Sequence, residues 1–188
     1  MSTSEPFAYE AILKDTQDSG FTMASEPLTG SLLRTLAATK PGGKFLELGT
    51  GTGLSTSWIL AGMDAASTLI SVDNDPKFLE IAERHLHSDE RLTLVRADAG
   101  GWLEANAEES FDYIFADTWH GKYLLLDETL ALLKPGGLYI IDDLLPQPNW
   151  PEGHDIKAHL LKERLLSEPQ LWITQQDWAT GIMIGVKK

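Results

Sequence analysis

Residues 45–56 read FLELGTGTGLST: an apolar run, three glycines at alternate positions, then a polar segment with helix-forming residues behind it. A short apolar run that ends in glycines and reopens as a helix is a strand, a tight turn and a helix N-terminus. That unit builds open, doubly wound sheets, and it is how many adenosine cofactors are gripped. The turn alone leaves three ligand classes open: a dinucleotide, a nucleoside triphosphate, and the sulfonium cofactor S-adenosylmethionine.

The rest of the chain repeats the unit. KFLEL (Lys44–Leu48), TLISVD (Thr68–Asp73), LTLVRAD (Leu92–Asp98), FDYIFAD (Phe111–Asp117) and LYIIDD (Leu138–Asp143) read as strands. Between them lie helical segments at Leu54–Met63, from Pro76 to about Leu86 with Asp75 as N-cap, near Trp102, and at Lys122–Leu133, the last closed by KPGG. Strands that are apolar on both faces and separated by helices predict a parallel sheet covered on both sides. A helix at Asp155–Ser167 is followed by LWITQ and GIMIGVK, too close together for a crossover, so these predict an antiparallel pair. The expected fold is α/β: a Rossmann-like, doubly wound, mostly parallel seven-stranded sheet with an antiparallel last strand and helices on both faces. Ahead of it lie helices at residues 6–18 and 26–39, the second with Ser25 as N-cap and Pro27 in its first turn. One domain over 1–188 is expected, with residues 1–40 on the substrate side and 41–188 forming the cofactor-binding core.

Composition removes several function classes. The net charge of −13, with no basic stripe, argues against a nucleic-acid surface. The apolar stretches are strand-length, too short for a bilayer, and MSTSEPFAYE has no signal-peptide core. With no Cys, thiolate metal sites and thiol nucleophiles are excluded; a cytoplasmic location is expected.

In open sheets of this kind ligands bind beyond the carboxyl ends of the strands. Those ends carry Glu47, Asp73, Asp98, Asp117 and the pair Asp142–Asp143. So negative a rim would repel a pyrophosphate and calls for something cationic among the carboxylates. The glycine spacing Gly49-x-Gly51-x-Gly53 is one residue tighter than the dinucleotide fingerprint, and no Lys follows it as in a phosphate-binding loop. S-adenosylmethionine, with its ammonium and sulfonium, fits better, and its carboxylate is expected on the glycine-loop N–H groups. Glu47, Gly49, Thr50, Gly51, Gly53 and Ser55 are expected around it. Asp73, with Asn74, is expected to accept from the ribose, and Asp98, with Ala99, from the adenine amino group.

The ordered set ELGTGTG, SVDND, RADA, FDYIFAD and LKPGGLYIIDD resembles the class I S-adenosylmethionine-dependent methyltransferases. MASEPLTGSLL, FADTWHGKY and GGLYIIDD bring it nearest the small-molecule O-methyltransferases typified by the catechol and caffeoyl-coenzyme A enzymes. The resemblance implies a small hydroxylated, catechol- or phenol-like acceptor. It also implies a divalent cation, usually Mg²⁺, on Asp117, Asp142 and Asp143, acting as a Lewis acid on the acceptor hydroxyl. The chain departs from the family where a catalytic Lys is expected three residues after Asp117: that slot holds His120, read here as the general base beside Asp117. Lys122 falls two residues further on, in a slot where the family varies. That departure keeps a metal-independent enzyme open, as it does a non-catalytic S-adenosylmethionine-binding module; a nitrogen or carboxylate acceptor and an NAD-linked oxidoreductase are further rivals. Trp119 and the loop Leu144–His154 are expected to wall the acceptor pocket, whereas Trp58, Trp102, Trp172 and Trp178 are assigned to packing. The N-terminal part is short for this group, which leaves room for a homodimer partner to complete the pocket.

Overall fold

The computed structural model describes residues 5–147 and 150–188. Among these residues seven strands form one sheet: β1 (Lys44–Leu48), β2 (Thr68–Asp73), β3 (Leu92–Arg96), β4 (Phe111–Ala116), β5 (Leu133–Ile141), β6 (Leu171–Gln176) and β7 (Ile182–Lys187). Their order is β3-β2-β1-β4-β5-β7-β6. β3 through β5 pair in parallel, and β7 runs antiparallel to both β5 and β6. This is the Rossmann-like sheet with one reversed strand that the element pattern implies, and the reversed strand is the last one in the chain.

Among the described residues seven helices cover it: α1 (Tyr9–Ser19), α2 (Pro27–Ala37), α3 (Leu54–Gly62), α4 (Pro76–Leu86), α5 (Ala99–Ala105), α6 (Leu126–Ala131) and α7 (His154–Leu166). Strand alternation sends successive side chains to opposite layers. On β1, Phe45 packs with α1–α4, and Leu46 and Leu48 pack with α5–α7. Glu47 shares the parity of Phe45 and so points toward α3. That parity decides its role below.

Several boundaries differ from the sequence expectation. The N-cap of α2 is Glu26, not Ser25, with Pro27 opening the helix. Asp98 is not part of β3 but caps α5, its Oδ2 accepting the Gly101 N–H at 3.0 Å. KPGG does not end a helix; it lies inside β5, where the register against β4 shifts between Phe111 and Tyr113. The helix expected from Lys122 starts only at Leu126. Residues 119–125 instead fold into a loop that satisfies its own backbone: Tyr123 N–H donates to Trp119 O at 2.9 Å, and Gly121 N–H to Leu124 O at 2.7 Å. Tyr139 of β5 donates its hydroxyl to the Gly121 carbonyl and fixes the loop from below. The packing assignment holds for Trp58 and Trp102, which are buried, but Trp172 and Trp178 are exposed, the former with the Lys188 ammonium over its ring.

Candidate active site

The carboxyl ends of β1, β2, β4 and β5 open on one cavity of about 910 Å³. Its floor is the glycine turn. Gly49 (φ 104°), Gly51 (φ 52°) and Gly53 (φ 92°) all take the left-handed backbone that L side chains resist. At Gly49 a Cβ would stand 2.6 Å from the carbonyl oxygen of Asp117, so this glycine is what lets the end of β4 close on the turn. Phe21, edge-on above Gly51 and 4.5 Å from the Phe78 ring, roofs this end; nothing in the sequence pattern singled out either ring.

The amides of the turn are largely spent inside the protein. Gly49 N–H donates to Val72 O at 2.9 Å, Gly51 N–H to Asp73 Oδ2 at 2.7 Å, and Gly53 N–H to Thr50 O at 2.9 Å. The turn is therefore a poor cradle for a phosphate chain, and these three amides are not open to a carboxylate either. Asp73 also accepts from Asp75 N–H at 2.9 Å, and it lines the cavity with Asn74, Asp98 and Ala99.

Glu47 is placed differently from the expectation. Its carboxylate is fully buried behind the turn, with Oε1 accepting from Ser55 Oγ at 2.6 Å and Oε2 from Thr56 Oγ1 at 2.6 Å and Ser71 Oγ at 2.5 Å. It does not line the cavity. Burial outweighs these three hydroxyls and pushes its carboxyl up to about 7. The Ser55 hydroxyl is turned inward with it, and Thr50 Oγ1 is 2.6 Å from Ser71 Oγ. Glu47 braces the turn from the α3 side, whereas Thr50 and Ser55 line the cavity with their hydroxyls engaged by Ser71 and Glu47.

Asp117, Asp142 and Asp143 do come together: each presents an oxygen within 4.8 Å of the others. What lies among them is Lys122. Its Nζ, on a side chain 5% exposed, is 3.2 Å from Asp117 Oδ1, 3.2 Å from Asp142 Oδ1 and 3.1 Å from the Asp142 carbonyl. Burial works against the ammonium, but the carboxylates of Asp117, Asp142 and Asp143 outweigh it and hold its pKa above the ordinary Lys range. Burial and then the Asp142 charge raise the carboxyls of Asp117 and Asp143. Asp143 itself sits at φ 56°, its N–H donating to Thr180 Oγ1 at 3.2 Å. A divalent ion on Asp117 and Asp142 would have to share their oxygens with an ammonium already in place, so this donor set does not fit the metal that the sequence resemblance implied.

His120 lines the cavity on the side of Asp98. Its Nδ1 is 3.9 Å from Asp98 Oδ1, and its ring packs over Gly100, where a Cβ would meet Nε2 at 2.7 Å. The opposite end of the cavity is aromatic. Trp119, Tyr123, Trp150 and His154 line it, with ring centroids 4.6–5.5 Å apart along the Trp150–His154, Tyr123–His154 and Trp119–His154 contacts. The Lys157 ammonium stands 4.7 Å over the Trp119 ring. Trp119 and Trp150 were anticipated as walls; Pro148 and Asn149 of the same loop lie outside the described residues.

A family model described as a methyltransferase domain matches residues 46–144, more than half of the chain. The chain belongs to the methyltransferase-domain family. Curated relatives of this methyltransferase include two proteins named "Putative O-methyltransferase". The one from Mycobacterium avium (strain 104) is 31% identical over 78% of this chain and 70% of its own length. The one from Mycobacterium marinum (strain ATCC BAA-535 / M) is 30% identical over 86% and 77%. Among solved structures, an O-methyltransferase from Bacillus cereus in complex with SAH superposes with a TM-score of 0.84 at 20% identity, covering 99% of this methyltransferase and 93% of that chain. A Klebsiella pneumoniae protein titled as an O-methyltransferase of that provisional kind gives 0.85 at 23% identity, over 99% and 92%. At these identities the structures speak for the fold.

The sequence reading missed Lys122 and Tyr123 as site residues and had His154 only as the end of the loop expected to wall the pocket. A buried Lys five positions after Asp117 leaves no periodic signal, because the loop that aims it inward is irregular. Among the described residues no helix is long and apolar enough to cross a membrane.

Proposed function

We propose that this methyltransferase moves the methyl group of S-adenosylmethionine to a hydroxyl of a small planar aromatic acceptor. The observation that carries the reading is the two-ended cavity, with a carboxylate-lined glycine turn at one end and the Trp119–Tyr123–Trp150–His154 wall at the other. Asp73 and Asp98, at the turn, suit ribose hydroxyls and an adenine amino group. The rim also carries Asp117 and Asp143, which favour a sulfonium over a pyrophosphate. The names of the curated relatives support an oxygen acceptor, and the SAH bound by the Bacillus cereus protein supports the same donor.

The acceptor oxygen attacks the methyl carbon in line with the sulfonium, so an O–C bond forms as the S–C bond breaks. The aromatic wall fixes the acceptor plane, and most of the rate gain is alignment. The hydroxyl proton goes to the Tyr123–His154 pair rather than to His120, which is turned toward Asp98. Lys122 stays charged and takes no proton.

Calorimetric titration of the purified protein with S-adenosylhomocysteine and with NADH tests the donor. Binding of the former alone is expected; binding of NADH alone would overturn the reading. A panel of catechols, simple phenols, amines and carboxylic acids, read by release of S-adenosylhomocysteine, then tests the acceptor class, with turnover expected on the hydroxylated aromatics.

A further inference from the structure

We infer that the Lys122 ammonium is the built-in cation of this site: it fills the place between Asp117 and Asp142 where the sequence resemblance puts a divalent ion, and the protein works without one. The inference deepens the methyl-transfer reading, on which its relevance to turnover rests, but the geometry that carries it is independent of the donor.

An ammonium has three hydrogens, and Lys122 has three acceptors within hydrogen-bond reach: Asp117 Oδ1, Asp142 Oδ1 and the Asp142 carbonyl. The group is fully spent on the protein. It therefore has no donor left for an acceptor oxygen, and it acts as a positioning residue that ties the end of β4 to the end of β5. A buried and a partly buried carboxylate this close would repel each other without a cation. An ammonium in contact with them meets that need, so the same oxygens have no requirement for Mg²⁺. Gly121, at φ 88°, turns the backbone between His120, which faces Asp98, and Lys122, which enters the acidic trio.

Removing the ammonium should uncover the cage. Mn²⁺ is the probe, followed by calorimetry and by the loss of its free-ion paramagnetic resonance signal. The wild-type protein is expected to take up no Mn²⁺ at concentrations up to about 1 mM, and its turnover is expected to be indifferent to EDTA. Lys122→Ala is expected to bind Mn²⁺ at least about tenfold more tightly than wild type, and adding Asp142→Asn should abolish the gain. Lys122→Met, closer in volume, serves if the alanine variant does not fold; if neither folds, the wild-type titration decides alone. Mn²⁺ uptake by wild type that is lost in Asp142→Asn would overturn the inference. So would a folded Lys122 variant that still takes up no Mn²⁺, because the trio would then be no cation cage. Wild-type binding of S-adenosylhomocysteine, measured in the same series, reports separately on the donor reading.

Discussion

The hydroxyl of Tyr123 lies 3.2 Å from Nε2 of His154, at the aromatic end of the cavity. The other ring nitrogen, Nδ1, is buried and has no hydrogen-bond partner among the described residues. Burial, then the nearby Lys157 and Lys122 charges, lowers the His154 pKa below the ordinary imidazole value. The neutral ring, which is the form that accepts a proton, thus persists to lower pH than an exposed His would allow. His154→Gln is expected to reduce kcat by about 100-fold or more while leaving affinity for S-adenosylhomocysteine unchanged. In the wild type the acid limb of the kcat profile should fall below the ordinary His pKa. An acid limb set by a group above that value, or an unaltered kcat in the variant, would remove His154 from proton transfer.

Glu47 makes a prediction about stability rather than turnover. Its folded pKa of about 7 lies above the ordinary value of 4.5, so the folded state binds the proton more tightly than the unfolded chain does. Stability therefore falls as pH rises from about 4.5 through about 7, by on the order of 3 kcal/mol for this group. Glu47→Gln should remove that slope. Urea midpoints at pH 5 and pH 8 check it: wild type should lose more between the two than the variant does, and parallel losses would show that Glu47 is not the titrating group.

The same residue shows what was legible in the sequence and what was not. The strand–helix alternation, the reversed last strand and the gathering of Asp73, Asp117, Asp142 and Asp143 near one sheet edge follow from patterns of two or three residues, which strands and turns impose locally. Glu47 fell to the wrong side of the turn because position at a strand end was weighed without parity: Phe45 and Glu47 share the α3 face, and Ser55, Thr56 and Ser71 are the donors waiting there. Lys122 was illegible for a different reason. Its direction is set by an irregular loop held by Gly121, Leu125 at φ 54° and the Tyr139 hydroxyl, and no periodicity encodes such a loop. His120 kept its place on the cavity wall but took Asp98 as its neighbour, since the turn at Gly121 passes the inward position to the residue behind it.

Gly49 joins the turn to the β4 end, so its substitution should be felt in both. An alanine there would need φ near 104° and would bring its Cβ to 2.6 Å from Asp117 O, a backbone atom that cannot swing away. Gly49→Ala is expected to cost about 2 kcal/mol or more in unfolding free energy, from backbone strain and the forced shift together. It should also weaken S-adenosylhomocysteine, because the shifted turn carries Asp117 and Asp73 with it. A urea midpoint equal to wild type would mean that the turn relaxes freely and does not set the site.

Asp73 tests the donor end directly. Its two oxygens already hold Gly51 N–H at 2.7 Å and Asp75 N–H at 2.9 Å, yet each carboxylate oxygen has a second lone pair, and the residue lines the cavity. Those remaining lone pairs are the acceptors proposed for the ribose hydroxyls. Asp73→Asn puts an amide NH₂ against a backbone N–H that needs an acceptor, and it replaces a charged acceptor by a neutral one. Hydrogen bonds to charged groups are worth about 1.5–3 kcal/mol, so S-adenosylhomocysteine should bind about 10- to 100-fold more weakly. Asp98→Asn should cost less, because the Asp98 side chain is 58% exposed and competes with water for any adenine amino group. If calorimetry gave the reverse order, with Asp98 dominant and Asp73 silent, the ribose would have to lie elsewhere on the rim, and Asp73 would be left as a brace for the glycine turn.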